Sequence, residues 1–150
     1  MYYLIYDCYH NGQATSYHDA LDQETMQSYT VTKVASGTCR YNCHSYAWHS
    51  SNPNNNIYWI PSPTTYLTDG SYTRIFSGTL GSLSSAMNSM DRLVYGTVTN
   101  ATHSAIVVSN STSEPVTARK VRSKWGSLGL FQHLSGNVPS GYGSNILVYR

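Results

Sequence analysis

What most constrains this chain is the order of two segments. Asn42-Cys43-His44-Ser45-Tyr46-Ala47-Trp48 carries a short helix signal, and His103-Ser104-Ala105-Ile106-Val107-Val108 reads as an apolar strand headed by a histidine. Within Thr38 to Ser50, Asn42 is a fitting N-cap for a helix with Cys43 in its first turn, and Ala47 and Trp48 continue it. A cysteine so placed, with an imidazole brought to it from a strand, suits nucleophilic catalysis. The thiolate is the nucleophile, and a helix N-terminus or an adjacent imidazole lowers its pKa. Each half also has an ordinary structural explanation: a lone cysteine is often a small buried hydrophobe, and a histidine ahead of apolar residues is common at strand starts.

The rest of the chain reads mainly as strands and turns. Met1 to Tyr6 reads as a strand, since it lacks a basic start and meets Asp7 too soon for a signal peptide. The polar run Ser51 to Asn56 is loop, and Ile57 to Ile60 is a short ordered patch stopped by Pro61 and Pro63. Tyr72 to Phe76 and Asp91 to Tyr95 read as strands, and Leu83 to Met90 as a weak helical turn. Ser104 to Ser109, a turn over Asn110 to Pro115, and Val116 to Arg122 form an expected hairpin. Folding about the centre of that turn sets His103 opposite Arg122 or Ser123, where a side chain near Ser123 would orient the imidazole.

Composition narrows the function classes. The 150 residues suit one domain, 1–150, able to bury about two-thirds of its unfolded surface. Charged residues are 11% of the chain and the formal net charge is +2, with no basic run, which excludes an electrostatic nucleic-acid or membrane-surface binder. No stretch approaches the roughly 18 apolar residues of a membrane span. Fourteen tyrosines stand beside many Ser, Thr and Asn, a polar, low-charge make-up that suits β structure and extracellular surroundings. Asn100 and Asn110 each begin an acceptor pattern for N-glycosylation, meaningful only in a eukaryotic secretory route.

Cys8, Cys39 and Cys43 leave one thiol unpaired if any two join, and a Cys8–Cys39 bond would leave Cys43 free. A zinc set of Cys39, Cys43, His44 and His49 is the alternative, though structural zinc sites usually draw two ligands from each of two separated segments. No metal and no cofactor is expected.

Taken together, Asn42 to Trp48, Asp91-Arg92-Leu93-Val94-Tyr95 and His103 to Val107 resemble the bacterial papain-like hydrolases, nearest to NlpC-type cell-wall peptidases and CHAP amidases. In that family a cysteine caps a helix, a Gly-Asp-aliphatic-aromatic strand follows, and a histidine begins the next strand. Ser123-Lys124-Trp125-Gly126 is similar to the family's Asn-Ser-Trp-Gly stretch. The resemblance spans about Thr38 to Gly126. The chain departs from it at Met90, where glycine is usual before the aspartate, at Ser123, where asparagine stands, and at Gly37, where the oxyanion glutamine stands.

The resemblance implies an α+β, papain-like fold in which an N-terminal-half helix carrying Cys43 packs on an antiparallel sheet carrying His103. It implies a cysteine peptidase or amidase with Cys43 as nucleophile, His103 as base and Ser123 as orienter, with Gln132 and His133 as alternatives for the third role. Tyr41 and the Cys43 N–H are the remaining oxyanion donors, and His44, Trp59 and Trp125 complete the expected substrate site. The expected partner is a peptide or peptidoglycan substrate, with the chain a monomer, secreted or at the cell surface. The rival reading is a binding module that has kept the fold and lost the chemistry, with Tyr58, Trp59, Tyr66, Tyr72 and Trp125 lining a peptide or glycan groove. A transpeptidase or a deamidating effector would use the same Cys-His pair.

Overall fold

A computed structural model describes residues 3–4, 14–82, 87–108 and 119–150. The protein is a mixed α+β domain with few helices and a large antiparallel sheet. In chain order the elements are β1 (Tyr3–Leu4), α1 (Ala14–Ser28), β2 (Thr32–Ala35), α2 (Cys43–Trp48), β3 (Tyr58–Trp59), α3 (Thr64–Thr68), β4 (Arg74–Thr79), β5 (Arg92–Gly96), β6 (Ala101–Val107), β7 (Lys120–Lys124), β8 (Leu130–Leu134) and β9 (Asn145–Tyr149). The main sheet runs β2-β8-β7-β6-β5-β9-β4, and β1 pairs separately with β3. Every pairing is antiparallel.

Side-chain alternation along these strands splits the core in two. One face buries Val94, Ile106, Leu130, Leu147 and Tyr149 against Tyr46, Ala47 and Trp48 of α2. The other buries Leu93, Tyr95, Ala105, Val107, Val121, Ile146 and Val148 under Leu80 and Met87. Among the described side chains of helix α1, none of the buried ones is apolar. Its buried positions His18, Asp22 and Thr25 are polar, yet they repeat at helical spacing. Asp22 fastens the helix by accepting from the backbone N–H of Gly37 (2.9 Å) and of Gly129 (2.6 Å).

Two features of the expected family strand have a clear structural role. Met90 sits at φ 73°, the left-handed region that favours glycine. The carboxylate of Asp91, buried, accepts two bonds of 2.9 Å from the Arg150 guanidinium and one of 2.7 Å from the Asn88 N–H. Arg92 reaches the other way, donating from Nε to the Ala47 carbonyl at the end of α2 (3.0 Å).

The hairpin carrying the histidine differs from expectation. Ile106 faces Arg122 and Val107 faces Val121, so the same register continued sets His103 across from Trp125, two residues beyond the expected partner. The expected turn over Asn110 to Pro115 lies outside the described residues, as do Leu83 to Ala86 of the expected helical turn. Asn88 to Met90, the end of that segment, are turn and coil leading into β5.

Candidate active site

Helix α2 begins at Cys43 because Asn42 does three jobs at once. Its Oδ1 accepts from the Ser45 N–H (3.0 Å), capping the first turn, and from the Ile60 N–H (3.2 Å). Its Nδ2 donates to the Ile60 carbonyl at 2.7 Å. One side chain therefore ties the helix start to the segment that carries Trp59 and Pro61. Cys43 is a free thiol, and Cys39 is disulfide-bonded. Cys8 lies outside the described residues. A sulfur held in a disulfide is no thiolate ligand, which removes Cys39 from the zinc set.

Cys43, His44, Trp59, Pro61, His103 and Tyr142 all line one cavity of about 380 Å³. Cys43 and His103 approach it from different sides of the sheet. His103 pairs with Tyr95 across β5 and β6, so it shares the face opposite α2, whereas Ser104 shares the face that α2 covers. Both meet at the end of β6, beside a register shift at Gly96. Gly96 has φ 107°, a conformation that keeps the position for glycine.

His103 is buried, and its Nε2 has no hydrogen-bond partner among the described residues. The Tyr142 ring stacks on it, 4.1 Å between centroids and 12° between planes. Burial first, and then the neighbouring His133 and His44, hold its pKa well below the ordinary value, so the ring is neutral. Burial likewise pushes the Cys43 thiol up to about 11. Against that, the backbone N–H groups of Ser104, His44 and Cys43 itself and the charge of Lys124 favour the thiolate.

Two similar hydrogen-bond chains flank the pair on opposite faces. On the α2 face Trp48 Nε1 donates to Ser104 Oγ (3.0 Å), which pairs with His44 Nδ1 at 2.8 Å. On the other, Trp125 Nε1 donates to Ser123 Oγ (2.9 Å), which pairs with His133 Nε2 at 2.6 Å. The Leu134 carbonyl accepts from His133 Nδ1 (2.8 Å), so Nε2 is the acceptor and Ser123 the donor. Burial lowers both His44 and His133 to about 4, keeping them neutral.

This corrects the expected triad. The Ser123 hydroxyl is engaged by His133 and Trp125, because the hairpin register sets Trp125 rather than Ser123 across from His103. His133, which holds the Ser123 hydroxyl, is one of the neighbours that depress the His103 pKa. Gln132 is turned to the other face, where it accepts from Arg122 Nε at 3.0 Å. Of the other expected residues, His44 and Trp59 line the cavity, while Tyr41 and Trp125 are buried away from its walls. The Tyr41 hydroxyl is buried without a hydrogen-bond partner among the described residues, and burial raises its pKa. The aromatic residues of the groove reading are spread over separate places. Tyr66 and Tyr72 pack on Trp48, Tyr58 packs on His49, and Trp125 is interior.

Sequence reasoning passed over two residues at this site. Tyr142 comes from a Gly- and Ser-rich segment after β8, with no periodicity to mark it. Lys124 is fully buried on the α2 face, where its Nζ donates to the carbonyls of Thr38 and Gly126, each at 2.6 Å. No helix among the described residues is long and apolar enough to cross a membrane. No family model, curated protein or solved structure matches this chain.

Proposed function

We propose that the chain is a papain-like cysteine hydrolase, a peptidase or amidase acting on peptide or amide bonds. Cell-wall peptide is the substrate its sequence resemblance implies. The observation that carries this reading is the shared cavity: a free cysteine in the first turn of a capped helix and the buried imidazole of His103 both line it. In the resting protein both groups are neutral, so the thiol proton leaves as the sulfur attacks. The His103 imidazole takes that proton, the Cys43 sulfur bonds to the carbonyl carbon, and backbone N–H groups of the first α2 turn hold the oxyanion. The imidazolium returns its proton to the departing amine. Water then attacks the thioester carbonyl, giving its proton to His103; the C–S bond breaks, the imidazolium returns that proton to the Cys43 sulfur, and the acid is released. The disulfide at Cys39 supports a secreted or cell-surface setting, since such bonds persist in oxidising compartments.

A binding module on the same fold is favoured by a different observation. No hydrogen bond joins the Cys43 sulfur to His103 Nε2, and burial leaves the thiol protonated. Incubation with purified peptidoglycan, followed by mass spectrometry of the soluble products, separates the two. The hydrolase releases fragments, and Cys43→Ala and Cys43→Ser each lower the rate by orders of magnitude while the fold persists. Sedimentation with peptidoglycan and no release, unchanged in Cys43→Ala, would instead establish the binding module.

A further inference from the structure

The two Trp–Ser–His chains differ in where they end. An indole N–H can only donate, so each serine oxygen accepts from its tryptophan and gives its single O–H to the histidine. In the Trp125–Ser123–His133 chain that O–H meets Nε2 at 2.6 Å, and the Leu134 carbonyl takes Nδ1–H at 2.8 Å. Both ring nitrogens are engaged, and His133 is not among the described walls of the cavity. In the Trp48–Ser104–His44 chain the indole bond is 3.0 Å and the O–H meets Nδ1 instead, at 2.8 Å. The ring proton therefore sits on Nε2. His44 is a wall of the cavity together with Cys43, and so is Ala101, whose backbone carbonyl is the acceptor that acts on the ring.

We propose that Trp48 and Ser104 are positioning residues that lock His44 as a neutral N–H donor to an amide carbonyl of the substrate. The inference rests on the hydrolase reading and adds one side-chain donor to the backbone N–H groups of the first α2 turn. Trp48 and Ser104 are both buried, so the lock is made where water does not compete for it. The oxygen that this donor fits is uncharged. A neutral imidazole N–H polarises a carbonyl, whereas a carboxylate drawn into the cavity would need a positive partner that this ring does not become at neutral pH. When the substrate leaves, the N–H falls back on the Ala101 carbonyl, so the donor is not stranded between turnovers.

The test reads the rings directly. Long-range proton–nitrogen NMR of the wild type at pH 7 should show His44 protonated on Nε2 and His133 on Nδ1, with no substrate and no activity needed. His44 protonated on Nδ1, or exchanging between the two forms, overturns the proposal whether or not any variant folds. Ser104→Ala should release the lock and give a mixture of tautomers, and an unchanged Nε2 form there overturns it as well. In the peptidoglycan assay His44→Phe should lower kcat/KM about tenfold, the worth of one hydrogen bond. His44→Gln, whose side-chain NH₂ keeps a donor, should stay within about threefold of the wild type. No loss in His44→Phe, or equal losses in both variants, overturns the donor role. Because the tautomers are read apart from hydrolysis, Cys43→Ala that keeps its hydrolytic rate would refute the hydrolase reading and leave the spectral result standing.

Discussion

Replacing Asp22 by alanine tests how α1 is held. The carboxylate accepts from the Gly37 N–H at 2.9 Å and from the Gly129 N–H at 2.6 Å, and Lys33 stands 3.8 Å away. A hydrogen bond to a charged group contributes about 1.5–3 kcal/mol, and a buried donor left without a partner costs a similar amount. Lys33 is partly exposed, so its ion pair adds little. Asp22→Ala should therefore cost about 4 kcal/mol, lowering the melting temperature by roughly 10 °C for a chain of this size. No side chain elsewhere can substitute easily. A Cβ on Gly37 would stand 3.0 Å from the Cβ of His18, so the loop and helix are already at closest approach. Asp22→Asn keeps one acceptor oxygen and turns an NH₂ towards the other donor, so it should lose about half as much. Urea unfolding with linear extrapolation measures both variants. A loss below about 1 kcal/mol in Asp22→Ala, or a larger loss in Asp22→Asn, would refute the view that these two bonds anchor the helix.

Met90→Gly should stabilise the protein by about 0.5 kcal/mol, since relief of left-handed strain of about 1–2 kcal/mol exceeds the chain entropy that glycine adds; thermal unfolding reads the small upward shift. The neutral buried histidines predict an acid-sensitive fold. His44, His103 and His133 have folded pKa values depressed below the ordinary 6.5, so the unfolded chain binds their protons first. Their contribution is fully present above pH 6.5 and is lost as pH falls towards about 4, at up to roughly 1.4 kcal/mol per pH unit for each. Unfolding free energies measured from pH 7.5 to 4.5 should show that slope, and His133→Gln should flatten it.

The parts of the fold legible in the sequence were those written in local chemistry. Asn42 before Cys43 is a side-chain cap, and Ser51 to Asn56 has no apolar side chain but a proline ring, so both could be read without knowing what packs on them. Helix α1 was invisible because its buried face is polar: His18, Asp22 and Thr25 carry the helical period in residues that a search for apolar repeats discards. Strands β8 and β9 have no motif to mark them and exist through their neighbours in the sheet. Cys43, His103, His44 and Trp59, singled out from the sequence, line one cavity. The assignment of Ser123 failed on a register set by a turn whose geometry residue types do not fix. Lys124 was read as part of a motif, because nothing in a lysine's identity says that the fold will bury it.

The burial of Cys43 has a consequence for how this chain survives oxidation. Four residues before it stands Cys39, already in a disulfide. A thiolate so near in sequence is an attacking group for exchange, which would shuffle the bond and consume the free sulfur. With its pKa raised to about 11, Cys43 holds a thiolate share at pH 8 about a hundredfold below that of an ordinary thiol. The same desolvation that makes the cysteine slow to ionise therefore shields the disulfide from rearrangement and the thiol from peroxide. Its reactivity is kept in reserve until a ligand enters the cavity and the proton has somewhere to go.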